Sequence, residues 1–277
     1  MSGTRRARRG FAAYLKPKTL VMLALGFSSG LPFLLTGNTL GYWLRDEGTS
    51  LVAIGFISWV GLAYSLKFVW APVIDRVSAP VFGRFGRRRG WMLLSQVVIG
   101  LGLAAMALSG PEQSLALLGA FALAVAFASA TQDVVIDAWR IESAGDAEEL
   151  GLLTSAYTFG YRSAMLAAEA LILLIATRIG WSASYILYAA LMCVGVAACL
   201  AAVEPAKADA ALAQRQKEAP LASARGLFDA VAGPFIAFFR AHGATALLML
   251  VAISLFQIPN FVMGPMANPL YHDIGLS

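Results

Sequence analysis

The sequence predicts an all-α polytopic membrane protein, and three observations carry that prediction. Of 277 residues, 59% are hydrophobic and only 13% are charged, a balance foreign to soluble domains of this length. The apolar residues gather into seven runs, each able to cross a hydrocarbon core of about 30 Å at a helical rise of about 1.5 Å per residue. The charges stand between those runs and sort by side.

The runs are Leu20 to Leu44, Leu51 to Ile74, Trp91 to Ser109, Leu115 to Trp139, Leu150 to Thr177, Ser182 to Val203 and Ala244 to Gly264. They divide the chain into a basic tail (1–19), a six-helix bundle (20–203), a linker with an amphipathic helix (204–242) and a seventh span (243–277) that opens a further segment. Seventeen lysines and arginines fall in the tail, the even-numbered connections and the linker, against Arg45 and Arg178 on the other side. Positive residues stay on the cytoplasmic face, so the N-terminus is expected in the cytoplasm and the end of the seventh span outside. The same sorting accounts for the net charge of +5 without a nucleic-acid partner. The first run is too long for a signal peptide and lacks a small-residue cleavage site, so it is expected to be retained.

Taken in order, the first span holds Gly26, Ser28, Ser29, Gly30, Pro32, Thr36, Gly37 and Asn38. Such small residues permit close helix contact and a kink at Pro32; alternatively, freed carbonyls and Asn38 line a water-filled cavity. In the second span Tyr64 and Lys67 share a face, and Lys67 either snorkels to the surface or stays inside and needs an acid. The following loop carries Asp75 and Arg76, a spacer, then Gly86, Arg87, Arg88 and Arg89, which is either plain positive anchoring or a gating loop.

The fourth span carries Gln132, Asp133 and Asp137 in ASATQDVVIDAWR. Four residues apart, the two carboxylates fall on one helix face, with Arg140 a turn further on. An unpaired acid inside a bilayer costs roughly 3 kcal/mol, which marks a pathway or a buried pair. Asp133 is the deeper and is expected within reach of Lys67 and Arg162; Asp137 is expected near Arg140 and the Asp75 loop. The next connection, IESAGDAEEL, reads as a solvated acidic loop. The fifth span has Tyr157, Tyr161, Arg162 and, seven residues on, Glu169 in line with Arg162. The guanidinium suits either an anionic solute or a structural pair with Asp133. In the sixth span Cys193 and Cys199, six apart, read as packing residues. Leu221 to Arg240 reads as an interfacial helix leading into the seventh span.

A weak repeat at an offset of 227 residues matches Pro32 with Pro259, Gly37 with Gly264, Asp46 with Asp273, Gly48 with Gly275 and Ser50 with Ser277. It joins the end of the first span to the end of the seventh, where two six-helix halves would repeat. The chain therefore reads as one half, a linker and the first helix of a second half, with five further helices expected.

The order Asp75-Arg76, spacer, Gly86 to Arg89 resembles the loop between the second and third helices of the major facilitator superfamily. With GFSSGLP at Gly26 to Pro32, YSLKFVWAPVIDR at Tyr64 to Arg76, GRRRGW at Gly86 to Trp91, SATQDVVIDAWRIE at Ser129 to Glu142 and GYR at Gly160 to Arg162, the chain is similar to the AmpG-type muropeptide permeases of that superfamily. The resemblance implies the superfamily's fold and proton-coupled import of N-acetylglucosaminyl-1,6-anhydro-N-acetylmuramyl peptides across the bacterial inner membrane for peptidoglycan recycling, tied in some species to beta-lactamase induction. Partners on this reading are the muropeptide, protons and membrane lipids, with the remaining helices, in one alternative, supplied as a separate chain. Asp133, Asp137 and Glu169 are the candidates for proton coupling. Lys67, Arg162, Asn38, Tyr64, Gln132, Tyr157 and Tyr161 are the candidates for solute binding or charge pairing. The alternatives are a transport-inactive fragment, or a related carrier of another solute such as acyl-CoA. No metal-ligand spacing, no nucleophile with a base and no phosphate loop is present, so neither an enzyme nor a cofactor is expected.

Overall fold

A computed structural model describes residues 14–205, 228, 232–243 and 245–256. The chain divides into two units, Met1–Glu218 and Ala219–Ser277. Among the described residues, six helical runs are long and apolar enough to span a membrane, and all of them lie in the first unit.

α1 (Pro17–Leu35) begins with proline in its first turn, where the missing N–H costs nothing. It runs through Pro32 and breaks four residues later: the Thr36 hydroxyl and N–H both turn back to the Pro32 carbonyl, and α2 (Asn38–Asp46) restarts after Gly37. The expected kink at Pro32 is thus a break beyond it. The second span is a chain of short pieces, α3 (Leu51–Ser58), α4 (Leu62–Leu66) and α5 (Ala71–Arg76), joined by 3-10 turns at Trp59–Gly61 and Lys67–Val69. Pro72 near the start of α5 cannot bond to the preceding turn, so Trp70 serves as a corner whose carbonyl accepts from Val73 and Ile74.

α6 (Arg87–Gln113) starts earlier than hydropathy suggests, because its first turn is three arginines that are tied down by acids; Gly110 and Pro111 interrupt its far end. α7 (Leu115–Ser143) is N-capped by Ser114, and α8 (Ala147–Leu166) by Asp146, whose carboxylate accepts from the Glu149 N–H at 2.8 Å. α8 passes through a π-turn, Ala167–Leu171, into α9 (Ile172–Ile179), and α10 (Trp181–Ala201) completes the unit.

α1 packs on α8, α10 and α7, while α6 packs on α7 and α10. The α1 and α8 contact is backbone against backbone. A Cβ on Gly26 would collide with the Tyr157 carbonyl, one on Gly30 with the Tyr161 carbonyl, and one on Gly160 with the Leu23 carbonyl. Close packing, the first of the two readings of this small-residue stretch, is therefore what α1 does. Two apolar clusters fill the unit, one around Leu31, Leu35, Trp43, Met106 and Tyr185, the other around Met22, Leu25, Ile136, Trp139 and Cys199.

In the second unit, α11 (Gly233–His242) and a helix over Thr245–Phe256 meet at 112° around Gly243, whose φ is +53°. The remainder of the expected seventh span, most of the expected interfacial helix, the second members of the repeat and the tail before Tyr14 lie outside the described residues.

Candidate functional site

A cavity of about 410 Å³ is lined by Phe33 of α1, Lys67 of the second span, Asp133 and Asp137 of α7, and Tyr157, Thr158, Tyr161, Arg162 and Met165 of α8. A larger cavity of about 700 Å³ near Lys16, Trp139 and Glu204 is mostly apolar, and its acids are engaged elsewhere, so the smaller one is the candidate site.

Asp133 is its centre. The carboxylate is 8% exposed; Oδ1 accepts from the Ser29 hydroxyl at 2.6 Å and Oδ2 lies 3.8 Å from Lys67 Nζ. The bond crosses from α1 to α7, while the glycines on either side of Ser29 face α8. Of the two readings of Lys67, the inward one holds, because its ammonium reaches Asp133. Behind the acid, Gln132 Nε2 donates to Ser28 Oγ at 3.3 Å; Gln132 is fully buried and stands outside the cavity.

Asp137 is half-buried and pairs with Arg140 at 2.9 Å, and the Arg140 guanidinium sits 5.1 Å over the Tyr157 ring. Arg162 does not reach Asp133: it approaches Met165 Sδ at 3.8 Å and makes no ion pair among the described residues. The structural-pair reading of Arg162 is thereby corrected, since Lys67 and Ser29 already occupy the acid. Tyr157 and Tyr161 line the wall, with ring centroids 5.8 Å apart. Tyr64 stays behind it, edge-on to Phe33 at 5.0 Å.

Two candidates fall elsewhere. Glu169 lies in the π-turn, which adds a residue to the turn and spoils the register with Arg162 seven residues earlier. Its carboxylate accepts from Asn38 Nδ2 at 3.4 Å, and neither residue lines the cavity. The π-turn's freed carbonyls are also satisfied: Ala168 accepts from the Thr39 hydroxyl at 2.6 Å and Ala167 from the Tyr188 hydroxyl.

The loop residues form a second cluster at the end of the unit where α6 begins. Arg88 is 3% exposed and bridges Asp75 at 2.6 Å and Glu142 at 2.5 Å. Arg87 donates to the Asp75 carbonyl at 3.0 Å and pairs with Glu142 at 3.4 Å. Arg76 is half-buried at the end of α5. Glu204, just past α10, accepts from the backbone N–H of Arg88 at 2.6 Å and of Arg89 at 3.1 Å. In return the Arg89 guanidinium donates to the Cys199 and Leu200 carbonyls, so each helix end caps the other. Gly86 precedes them at φ +106°, and a Cβ there would strike the Glu204 side chain at 2.5 Å.

The acidic connection after α7 is corrected by the same geometry. Glu142 is drawn into the arginine cluster, and Glu149 pairs with Lys18 at 2.9 Å. Sequence reasoning missed Ser29, Glu142 and Glu204 as functional residues. Their signals were present, in a serine beside a glycine within an apolar helix and in acids placed opposite a triple arginine, but each type is common in packing stretches and loops.

The Major Facilitator Superfamily model matches residues 19–277. The chain is 37% identical over 241 residues to the anhydromuropeptide permease of Escherichia coli (strain K12), covering 87% of this chain and 46% of that protein. It is 34% identical over 261 residues to an uncharacterized Haemophilus influenzae protein (94% and 58% covered), and 30% identical over 253 residues to a Rickettsia felis protein carrying the name AmpG 4 (91% and 59% covered). The chain thus spans about half the length of the curated relatives it matches. With a family match running along nearly its whole length and an all-helical fold of apolar spans, the chain belongs to the major facilitator superfamily and, within it, is similar to the AmpG-type permeases.

Proposed function

We propose that this chain supplies the charged wall of a proton-coupled carrier that imports anhydromuropeptides across the bacterial inner membrane. The observation that carries the reading is the buried Asp133, held by Ser29 and loosely by Lys67, in a cavity that also presents Arg162 without an acid partner among the described residues. An acid with a cation at 3.8 Å can exchange that partner for a proton, and the released ammonium can then take a solute carboxylate. Arg162 offers its planar donors to the same kind of group, and the Tyr157 and Tyr161 rings offer faces to sugar rings. The substrate class comes from the similarity to the Escherichia coli permease.

In this mechanism the cluster around Arg88 is the cytoplasmic tie, with the arginine-rich loop and tail on the cytoplasmic side by the positive-inside rule. Proton entry at Asp133 drives the cycle. The membrane potential contributes about 2.3 kcal/mol per 100 mV for each net positive charge carried inward, so it favours import of an anionic solute only when the entering protons outnumber the solute's negative charges.

The test is uptake of radiolabelled anhydromuropeptide into right-side-out vesicles carrying the protein as its gene encodes it. Accumulation is expected to collapse to simple equilibration in Asp133→Asn and on adding a protonophore. Full accumulation under either condition would sink the coupling role of Asp133.

A further inference from the structure

Three cations, Lys67 and Arg162 in the cavity wall and Arg140 just behind it, stand at three levels, and the strength of their acid pairing is graded along them. Contacts along α1 set the order: Gly30 abuts Tyr161, which Arg162 follows; Ser29 meets Asp133, the partner of Lys67; Gly26 abuts Tyr157, over which Arg140 lies. At the first level Arg162 has no acid partner among the described residues. At the second Lys67 is 3.8 Å from its acid, and at the third, nearest the arginine cluster, Arg140 is 2.9 Å from Asp137.

Arg140 has the geometry of a binding group. Its guanidinium is stacked 5.1 Å over an aromatic ring, one Nη engages Asp137, and its Nε is buried with no hydrogen-bond partner. Both of its contacts, Asp137 and Tyr157, line the cavity. Asp137 is 44% exposed, whereas the arginine is 16% exposed and stacked on the ring. A planar fork stacked on a ring, with its Nε unpaired and one Nη on a half-exposed acid that lines the cavity, fits exchange of that acid for a ligand carboxylate.

Resting on the muropeptide reading, we propose that Arg140 is a second anion subsite, so that the preferred solute carries two anionic groups along its length. One group is taken by Arg162 and the other displaces Asp137 from Arg140. The solute then spans the Lys67 and Asp133 level, where the proton is exchanged, with Tyr157 and Tyr161 against its sugar or peptide body.

Equilibrium binding to the protein in lipid nanodiscs tests this, using anhydromuramyl peptides prepared with one free carboxylate or with two. Arg140→Gln is expected to cost the two-carboxylate probe about tenfold more than it costs the one-carboxylate probe, as for loss of one charge-assisted contact. Arg140→Lys recovers part of that difference. Asp137→Asn, which removes the competitor, is expected to tighten the two-carboxylate probe alone; a structural ion pair would give no such gain. Equal losses for both probes in Arg140→Gln, or no gain in Asp137→Asn, overturn the subsite and leave the muropeptide reading standing. Failure of the wild-type protein to bind either probe removes both together.

Discussion

At the scale of single residues, the cavity depends on what surrounds one carboxylate. Ser29 donates the closest bond to Asp133, at 2.6 Å, while Lys67 stands off at 3.8 Å and is 37% exposed. The hydroxyl therefore does more than the ammonium to hold the acid's position, since the lysine's attraction is weakened by solvent. Ser29→Ala is expected to lower stability by about 1.5–3 kcal/mol, the range for a hydrogen bond to a charged group, measured as thermal unfolding in nanodiscs. Lys67→Met should cost less than that in the same measurement. The acids and Lys67 were legible in the sequence because ionisable groups inside apolar runs are conspicuous. Ser29 was not, because a serine among glycines looks like packing. The alignment of Glu169 with Arg162 failed because helical spacing assumes an uninterrupted α-helix, and Glu169 itself sits in the π-turn Ala167–Leu171.

At the scale of elements, two helix pairs rest on opposite devices. α1 and α8 meet through glycines, with nothing between the backbones to yield. Gly160→Ala is accordingly expected to push the helices apart at a cost of about 1–3 kcal/mol, read as a lower thermal unfolding midpoint in nanodiscs. α6 and α10 meet through charge, each end capping the other by way of Glu204 and Arg89. Glu204→Ala should cost about 0.5–2 kcal/mol, the range for a lost cap, and should be seen first as faster hydrogen exchange of the Arg88 and Arg89 amides. Hydropathy located the helical runs of the first unit because bilayer thickness sets their length. It could not locate the breaks at Gly37 or within the second span, since those are local changes of backbone path that average hydropathy does not register.

At the scale of the molecule, the first unit has a charged end and an apolar middle, with the cavity between. The orientation inferred from loop charges makes a direct prediction for topology. With Cys193 and Cys199 replaced, an impermeant maleimide should label Gln113→Cys in intact cells and Ser78→Cys only after permeabilisation; both sites are exposed. The side-by-side lock of α1 and α8 also has a consequence for biosynthesis. More than a hundred residues separate Gly30 from its partner Tyr161. At about 5–20 residues per second a ribosome needs roughly 7–26 s to deliver the second helix after the first. Through that interval α1 has its glycine face bare, so a helix made early waits for the partner that covers it, and the lock of α1 on α8 can close only once the chain has been made through α8.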